Sequence, residues 1–153
     1  MSQAADPGQA YTESPIILTA VRVVSPFVLT YGLFVTFHGA DKPGGGFQGG
    51  VIIGTVVLLL AFAFGIDPIR LWVGDRLSTA LAAGGVVVFS AIGLATVALG
   101  GAFLEYERIP IQDASKWGIE AVEIGGIAAI ISGVVIALFF LTAGGYDVEE
   151  AEE

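Results

Sequence analysis

Long runs of apolar residues, separated by short polar segments, dominate this chain. A bilayer core about 30 Å thick requires roughly 20 apolar residues in a helix that rises about 1.5 Å per residue. Four segments meet this length: about Ile16 to Phe37, about Phe47 to Ile66, the stretch between Arg76 and Glu105, and Ile124 to Tyr146. The pattern therefore predicts an all-α integral membrane protein with four transmembrane helices and both termini on the same side of the membrane.

The two ends of the chain are polar. Residues 1–14 contain no positively charged region, and the apolar stretch that follows carries Arg22 and lacks a small-residue cleavage site, unlike a cleavable signal peptide. We expect residues 1–14 to be a disordered polar leader and residues 15–146 to be a single membrane domain. Residues 147–153, which include five acids, are expected to form a solvated tail.

The composition narrows the class of protein further. Hydrophobic residues make up 55% of the 153 residues and charged residues 14%, whereas soluble domains carry about 25% charged residues. With six Lys and Arg, no Cys and a single His, the chain does not resemble a soluble enzyme domain, a nucleic-acid binder or a disulfide scaffold. We therefore expect no enzymatic activity, no metal site and no cofactor.

The charge balance is strongly acidic. The formal net charge is −9, and removing the five acids of residues 147–153 leaves −4, so the loops are acidic as well. Such a surface is typical of a halophilic prokaryote, although an acidic patch that attracts cations is the alternative. The positive charges fall three on each side of the predicted membrane, so the positive-inside rule assigns no orientation.

The turn between the first two helices, HGADKPGGGFQGG at residues 38–50, is unusually rich in glycine. Its match to GxGxxG lacks the strand that a dinucleotide site needs. Proline ends a helix, while glycine permits positive φ angles and close approach of backbones. Two interpretations remain: a tight hairpin packed against a neighbour, or a helix start that contacts an ion path at membrane depth. The residues concerned are Pro43, Gly44, Gly45, Gly46, Phe47, Gln48, Gly49 and Gly50.

This order of helix, glycine-rich turn and helix resembles the MnhB/MrpB family, the B subunit of multisubunit Na+/H+ antiporters. Further similarities are GGAFL at 100–104, expected to end the third helix, IPI at 109–111, and VEIGGIAAIISGVVIALFF at 122–140. The resemblance covers about Ile16 to Ala143. The loop between IPI and VEIGG is shorter than in many members and the tail is more acidic, which affects contacts with partner subunits.

The resemblance implies an accessory, multi-pass subunit of the plasma membrane. It would form a hetero-oligomer with other antiporter subunits in the lipid bilayer, and the complex would exchange Na+ for H+. An alternative is the equivalent subunit in the antiporter-like module of a membrane-bound hydrogenase or related respiratory complex. A stand-alone four-helix exporter is disfavoured, because that class needs a carboxylate inside its first helix, where this chain has Arg22.

Four ionisable residues in or near the predicted spans are candidates for an ion or proton path: Glu123, Glu120, His38 and Arg22. Glu123 matches the family's acidic position, and the alternative is a carboxylate that marks the end of the apolar span. Glu120 lies three residues earlier on the same helix face. His38 could shuttle protons or make a fixed hydrogen bond to the backbone. Arg22 could snorkel to the interface or pair with a partner's acid.

Small residues recur at helical spacing in the later spans. Small faces let membrane helices approach closely, either within the chain or against another subunit, and both options remain open. One stripe has eight-residue spacing on the third helix and consists of Gly85, Gly93 and Gly101. The other has four-residue spacing on the fourth helix and consists of Gly125, Ala129, Gly133 and Ala137.

Overall fold

The computed structural model describes residues 14–39 and 45–149, with the side chains of 75 and 144–149 excepted. Its helices are α1 (Pro15–Phe37), α2 (Gly45–Phe64), α3 (Ile66–Ala98), α4 (Ala114–Ala121), a π-helical segment (Val122–Ala128) and α5 (Ala129–Glu149). The last three follow one another without a break, and together they form what we call the last helix, residues 114–149. A 3-10 turn, Tyr106–Arg108, lies in the loop before it.

Four helical stretches are long and apolar enough to cross a membrane: Pro15–Phe37, Gly45–Phe64, Arg76–Ala98 and Ala114–Ala143. The predicted all-α architecture with four spans is therefore confirmed. Residues 1–13 of the expected leader and 150–153 of the expected tail lie outside the described residues.

Two predicted boundaries were wrong. The third span ends at Ala98 and not near Leu104, because Gly100 adopts a positive φ of 81° that ends the helix. The helix that contains the fourth span begins at Ala114 and not at Ile124, so Glu123 lies within a continuous helix. Its carboxylate is buried against another helix, which the run of hydrophobic residues alone does not reveal.

Helix α3 is interrupted near its start. Gly74 adopts φ 64° and ψ 153°, which are not helical values, and this separates a short leading helix from the membrane span. On the leading helix, Leu71 is 87% exposed and Trp72 is 77% exposed. Exposed Trp and Leu beside a span are typical of a segment that lies at the membrane–water interface.

Helix α2 lies between α1 and the last helix, and glycines bring the backbones together. A Cβ on Gly49 would lie 2.8 Å from the carbonyl oxygen of Gly32 in α1. A Cβ on Gly50 would lie 2.8 Å from the carbonyl oxygen of Ala128 in the last helix. The hydroxyl of Ser132 lies 3.1 Å from the carbonyl oxygen of Gly50 and 2.7 Å from that of Ala128. In lipid the hydrophobic effect does not drive helices together, so close packing and hydrogen bonds of this kind hold them in contact.

The stripe of small residues on the last helix packs inside the chain, against α3. A Cβ on Gly133 would lie 2.6 Å from the carbonyl oxygen of Ser78, and one on Gly125 would lie 3.2 Å from Val88. The stripe predicted on the third helix does not form, because Gly101 lies beyond the helix end, where its neighbours are loop side chains such as Arg108. Of the two options left open by the sequence, internal packing is thus the one observed for Gly133 and Gly125.

The loop of residues 99–113 is folded back on the end of α3. The hydroxyl of Thr96, which is fully buried, lies 2.8 Å from the carbonyl oxygen of Gly93 and 2.9 Å from that of Ala102. The ring of Phe103 fills the space where Gly93 lacks a side chain and lies 5.8 Å from the ring of Phe89, centre to centre. One buried hydroxyl and one ring therefore hold the loop against the span.

We expect Thr96→Val to loosen this loop. Valine has nearly the same shape but removes the hydroxyl that bonds the carbonyl of Ala102, and a hydrogen bond of this kind contributes about 0.5–1.5 kcal/mol. Thermal unfolding of the purified protein in detergent measures the loss, and Thr142→Val is the matched control. The hydroxyl of Thr142 bonds only within its own helix and is exposed. Equal stability of the two variants would contradict the anchoring role of Thr96.

Candidate functional site

In the part of the chain that the structure describes, Glu123 is the one charged residue whose side chain is buried. Its side chain is 8% exposed, and it lies in the first turn of the π-helical segment. The backbone N–H of Gly46, in the first turn of α2, donates a hydrogen bond to its Oε2. The carboxylate of the last helix is therefore bonded to the start of a different helix.

The position of this carboxylate follows from the needs of a helix start. The first N–H groups of an α-helix have no partner within the helix, and at membrane depth they must be satisfied by protein or water. The aligned peptide dipoles also place about half a positive charge there. Glu123 satisfies the N–H of Gly46 and offsets this charge, so burial of the carboxylate and of the helix start stabilise each other.

The π-helical segment, Val122–Ala128, positions Glu123. Single π turns inside α-helices are rare and occur frequently at functional sites, because the extra residue reorients the side chains around it. Here it brings Gly126 next to α3, where a Cβ would lie 3.3 Å from Phe89. It leaves Glu123 directed at α2.

The glycines at the start of α2 are required for close approach and not for positive φ. Gly45 and Gly46 are both helical, so of the two properties of glycine named above, positive φ and close approach, only close approach is used at these positions. A Cβ on Gly46 would lie 2.5 Å from Oε2 of Glu123, and a Cβ on Gly45 would lie 2.8 Å from the backbone nitrogen of Gly39. Residues 40–44, and with them Pro43 and Gly44, lie outside the described residues.

The first turn of α2 has two contrasting faces. Gly49 and Gly50 are buried against α1 and the last helix, as described above. Phe47, which is 54% exposed, and Gln48 face away from the bundle. One run of sequence thus supplies both the close internal contact and an outward-facing aromatic and amide pair.

A cavity of about 330 Å³ adjoins Glu123. It lies between the last helix, the side of α3 and the loop of residues 99–113. Glu123 and Tyr106 are the polar side chains that line it, and the other lining residues are Gly39, Phe89, Leu104, Ile119, Val122 and Ile127. The carboxylate is therefore bordered by a mainly apolar space that reaches the loop.

Tyr106 stands at the loop end of this cavity. Its ring fills the space left by Gly118, since a Cβ there would lie 2.6 Å from Cγ of the ring. Burial, together with the negative charge of Glu123, raises the pKa of Tyr106 above its ordinary value. The phenol therefore keeps its proton at physiological pH and can both donate and accept a hydrogen bond beside the cavity.

Comparison with known proteins agrees with this architecture. The family model described as "Domain related to MnhB subunit of Na+/H+ antiporter" matches residues 16–150. The chain belongs to the MnhB family. It is 28% identical over 141 residues to the putative antiporter subunit mnhB2 of Staphylococcus aureus (strain Newman), an overlap of 87% of this chain and 97% of the relative.

A second relative of this MnhB-family chain is the B subunit of the Na(+)/H(+) antiporter of Bacillus subtilis (strain 168). The two are 24% identical over 131 residues, which cover 83% of this chain and 91% of that protein. Together with the four apolar helices, these findings make the chain a multi-pass membrane protein. The match includes Glu123, Gly46 and the whole last span.

Glu120 does not share the cavity of Glu123. In this MnhB-family chain it lines a separate groove together with Val88 and Trp117, and its side chain is half-buried. The two carboxylates predicted to share one helix face thus border different spaces, since residues three apart on a helix differ by about 60° in direction.

His38 is exposed at the carboxyl end of α1. Its Nδ1 lies 3.1 Å from the carbonyl oxygen of Phe34, and the two rings are 4.0 Å apart, centre to centre. A carbonyl can only accept, so Nδ1 carries the hydrogen. This is the geometry of a fixed hydrogen bond to the backbone, which was the alternative to a proton shuttle.

Arg22 lies over the ring of Phe64, the last residue of α2, with 5.3 Å between the guanidinium carbon and the ring centre. Because α2 ends there, Arg22 is level with the end of a span and its side chain is close to the interface. A guanidinium over an aromatic face is a favourable cation–π pair. This position is far along α1 from the hairpin that contacts Glu123.

Sequence reasoning missed Tyr106 and Thr96. Thr96 lies in the uncharged end of the third span, and Tyr106 lies in the following loop between Glu105 and Glu107, so neither residue is part of a recognised motif. A polar residue near the end of an apolar span, followed by a loop with an aromatic residue, is a signal common to many membrane proteins. Only the fold places Tyr106 beside Glu123.

Proposed function

We propose that this MnhB-family chain is the B subunit of a multisubunit Na+/H+ antiporter. In the plasma membrane it packs against the other membrane subunits and contributes Glu123 to the path of the exchanged ions. No chemical reaction on a substrate is assigned to it. The observation that supports this best is the buried carboxylate bonded to the start of α2, since ionisable groups inside membranes are costly and mark ion or proton paths.

The assembly role is supported by the outward face of the hairpin. Gln48 is exposed, and its amide makes no hydrogen bond within the described part of the chain. An amide that faces lipid costs several kcal/mol, whereas a neighbouring subunit can satisfy it. Phe47 lies beside it and offers a large apolar contact. We therefore assign the outward side of the first turn of α2 to contact with a partner subunit.

The ion-path role is supported by the chemistry of Glu123. Its carboxylate accepts a backbone hydrogen bond from Gly46 and borders a cavity that leads to the loop. A positioned carboxyl group is one of the side chains that proteins use to transfer protons. Protonation would remove the charge that offsets the start of α2, which links proton uptake to the contact between the two helices.

Co-purification from the native host tests the subunit assignment. A chain tagged at its carboxyl end and extracted in mild detergent at high salt is expected to bring down several antiporter-type membrane subunits in fixed proportions. Mass spectrometry of the retained proteins measures this. The substitution Gln48→Leu is expected to reduce the amount of recovered partner subunits several-fold. Thr142→Val is the control and is expected to leave that amount unchanged, because Thr142 is exposed at the other end of the membrane domain.

Two results would contradict the assignment. A tagged chain that elutes alone or as a homo-oligomer, and still exchanges ions in vesicles, would refute an accessory role. Recovery of redox subunits in the same fixed proportions would place the chain in a respiratory complex instead of a dedicated antiporter.

A further inference from the structure

We propose that the cavity lined by Tyr106 and Glu123 is a water-filled access route that carries protons, and not Na+, between the loop side of the membrane and Glu123. Tyr106 controls this route, and its hydroxyl takes part in the passage of protons. The proposal rests on the ion-path role proposed above for Glu123, and it adds the identity of the ion, the side of entry and the controlling residue.

The size and position of the cavity support a route for water. Its volume of about 330 Å³ holds several water molecules, each of which occupies roughly 30 Å³ in the liquid. Its lining joins Glu123 of the last helix to Leu104 and Tyr106 of the loop. Water in this space can form hydrogen bonds to the carboxylate and to the phenol, which supply the polar partners that a buried water needs.

The lining favours a proton over a metal cation. Hard cations are held by about six oxygen ligands. The cavity presents the carboxylate of Glu123 and the phenol of Tyr106 among mainly apolar side chains. No group of three or more His, Cys, Asp or Glu that could hold a metal ion occurs in the part of the chain that the structure describes. A proton needs only one acceptor and a chain of hydrogen bonds, which this space provides.

Tyr106 is suited to control the route. Its ring is held against the backbone at Gly118, and Tyr106 lines the same cavity as Glu123. A phenol that remains protonated can accept a hydrogen bond from water on one side while donating one on the other. The raised pKa of Tyr106, which burial and the charge of Glu123 cause, agrees with this role.

The loop that carries Tyr106 is built to hold a strained conformation. Leu104 has a φ of 63°, a left-handed value that residues other than glycine rarely adopt. The backbone N–H of Tyr106 donates to the carbonyl of Leu104 at 3.0 Å, and Thr96 fixes the loop two residues earlier. Strain of this kind persists only where the surroundings enforce it, and it occurs often at functional sites. Its result here is that Leu104 and Tyr106 both face the cavity.

Single cysteines test the route directly, because the chain contains no Cys. We would introduce Leu104→Cys, Ile119→Cys and Ile127→Cys separately, in the complete complex in vesicles, and treat each with a small charged methanethiosulfonate. Such a reagent reacts only where water reaches the thiol. Ile111→Cys in the loop, 53% exposed, is the positive control, and Leu138→Cys on the lipid side, 57% exposed, is the negative control.

We expect the cavity cysteines to react at least tenfold faster than Leu138→Cys, and only from the side of the membrane on which Ile111→Cys reacts. Each variant is scored only after it co-purifies at the wild-type level, and three positions ensure that one failure to assemble leaves the test intact. Cavity cysteines that react no faster than Leu138→Cys would overturn the proposal. Slower reaction when Na+ replaces a large organic cation would also overturn it, because Na+ would then occupy the space.

Variants of Tyr106 separate control from simple packing. Tyr106→Ala is expected to speed the reaction of Ile127→Cys several-fold, since the ring no longer closes the loop end. Tyr106→Phe keeps the ring and should leave the reaction rate unchanged while it lowers exchange several-fold. Tyr31→Phe, on the exposed face of α1, is the control. Normal exchange in Tyr106→Phe would refute the part of the proposal that assigns proton passage to the hydroxyl.

The outcome for this route is distinguishable from that for the proposed function. Cysteine labelling reports water and does not depend on transport. If the cavity cysteines are labelled but a Glu123→Gln complex exchanges ions normally, the ion-path role of Glu123 is refuted. The cavity is then filled with water but does not lead to a residue of the ion path. If the cavity cysteines are not labelled but Glu123→Gln abolishes exchange, the proposed ion-path role of Glu123 is supported and the water-filled route is refuted.

Discussion

Replacing Glu123 by glutamine should reduce cation/proton exchange by the assembled complex at least tenfold while the amount of complex stays unchanged. Glutamine has nearly the same size, and its amide oxygen can still accept the hydrogen bond that Gly46 donates. It cannot take up and release a proton, however. The variant therefore preserves the contact between the last helix and α2 and removes only the ability of the side chain to bind and release a proton.

Exchange is measured in everted vesicles as the collapse of a pH gradient on addition of Na+, and the complex is quantified by co-purification. Glu120→Gln is the matched control, because Glu120 is half-buried on the same helix but borders a different groove. Glu123→Ala is expected to lose assembly as well as exchange, since the buried N–H of Gly46 then has no acceptor. Wild-type exchange by Glu123→Gln would end the relay hypothesis.

Replacing Gly46 by valine is expected to eliminate the complex from the membrane. A Cβ at this position would lie 2.5 Å from Oε2 of Glu123 and 3.0 Å from its carbonyl carbon, so the last helix and α2 would have to separate. Overpacking of this kind costs about 1–3 kcal/mol in typical cores. Loss of the hydrogen bond to the carboxylate adds about 1–3 kcal/mol for each buried polar group left unsatisfied.

The complex recovered in detergent, and its thermal unfolding, measure this effect. Gly84→Val is the matched control, since Gly84 is also helical and membrane-embedded, but a Cβ there has nothing within 4 Å. We expect the control to assemble normally. Recovery of equal amounts of complex from the two variants would show that the closeness of α2 and the last helix is not required.

Much of the fold could be predicted from the sequence. A helix in lipid must satisfy its own backbone and cross about 30 Å of hydrocarbon, so runs of apolar residues predict spans reliably. The errors fell where a span begins or ends. Residues 99–104 carry no charge, yet they form a loop, because Gly100 ends the helix and Thr96 binds the loop to the span. Conversely, Glu123 does not begin a helix, because the helix that contains it begins at Ala114.

The candidate site could be predicted only in part. Glu123 and Gly46 were both singled out, but as members of separate features, 77 residues apart in sequence. Nothing in the local pattern of either segment shows that they meet. Glycine was expected for the freedom of its backbone and for close approach, and at Gly46 the structure shows close approach, because the missing side chain makes room for the carboxylate. Tyr106 was not identified at all, because it enters the site only through the fold of the loop.

The sequence by itself determined the number of spans, the membrane location and the family, because each depends on local hydrophobicity or on an ordered motif. The tertiary structure decided which groups share a space. The start of α2 and the loop of residues 99–113 meet around Glu123 because glycines let α1, α2 and the last helix approach within backbone contact. A carboxylate buried there is stabilised by the N–H groups of a different helix, and only the packing of the whole domain brings these together.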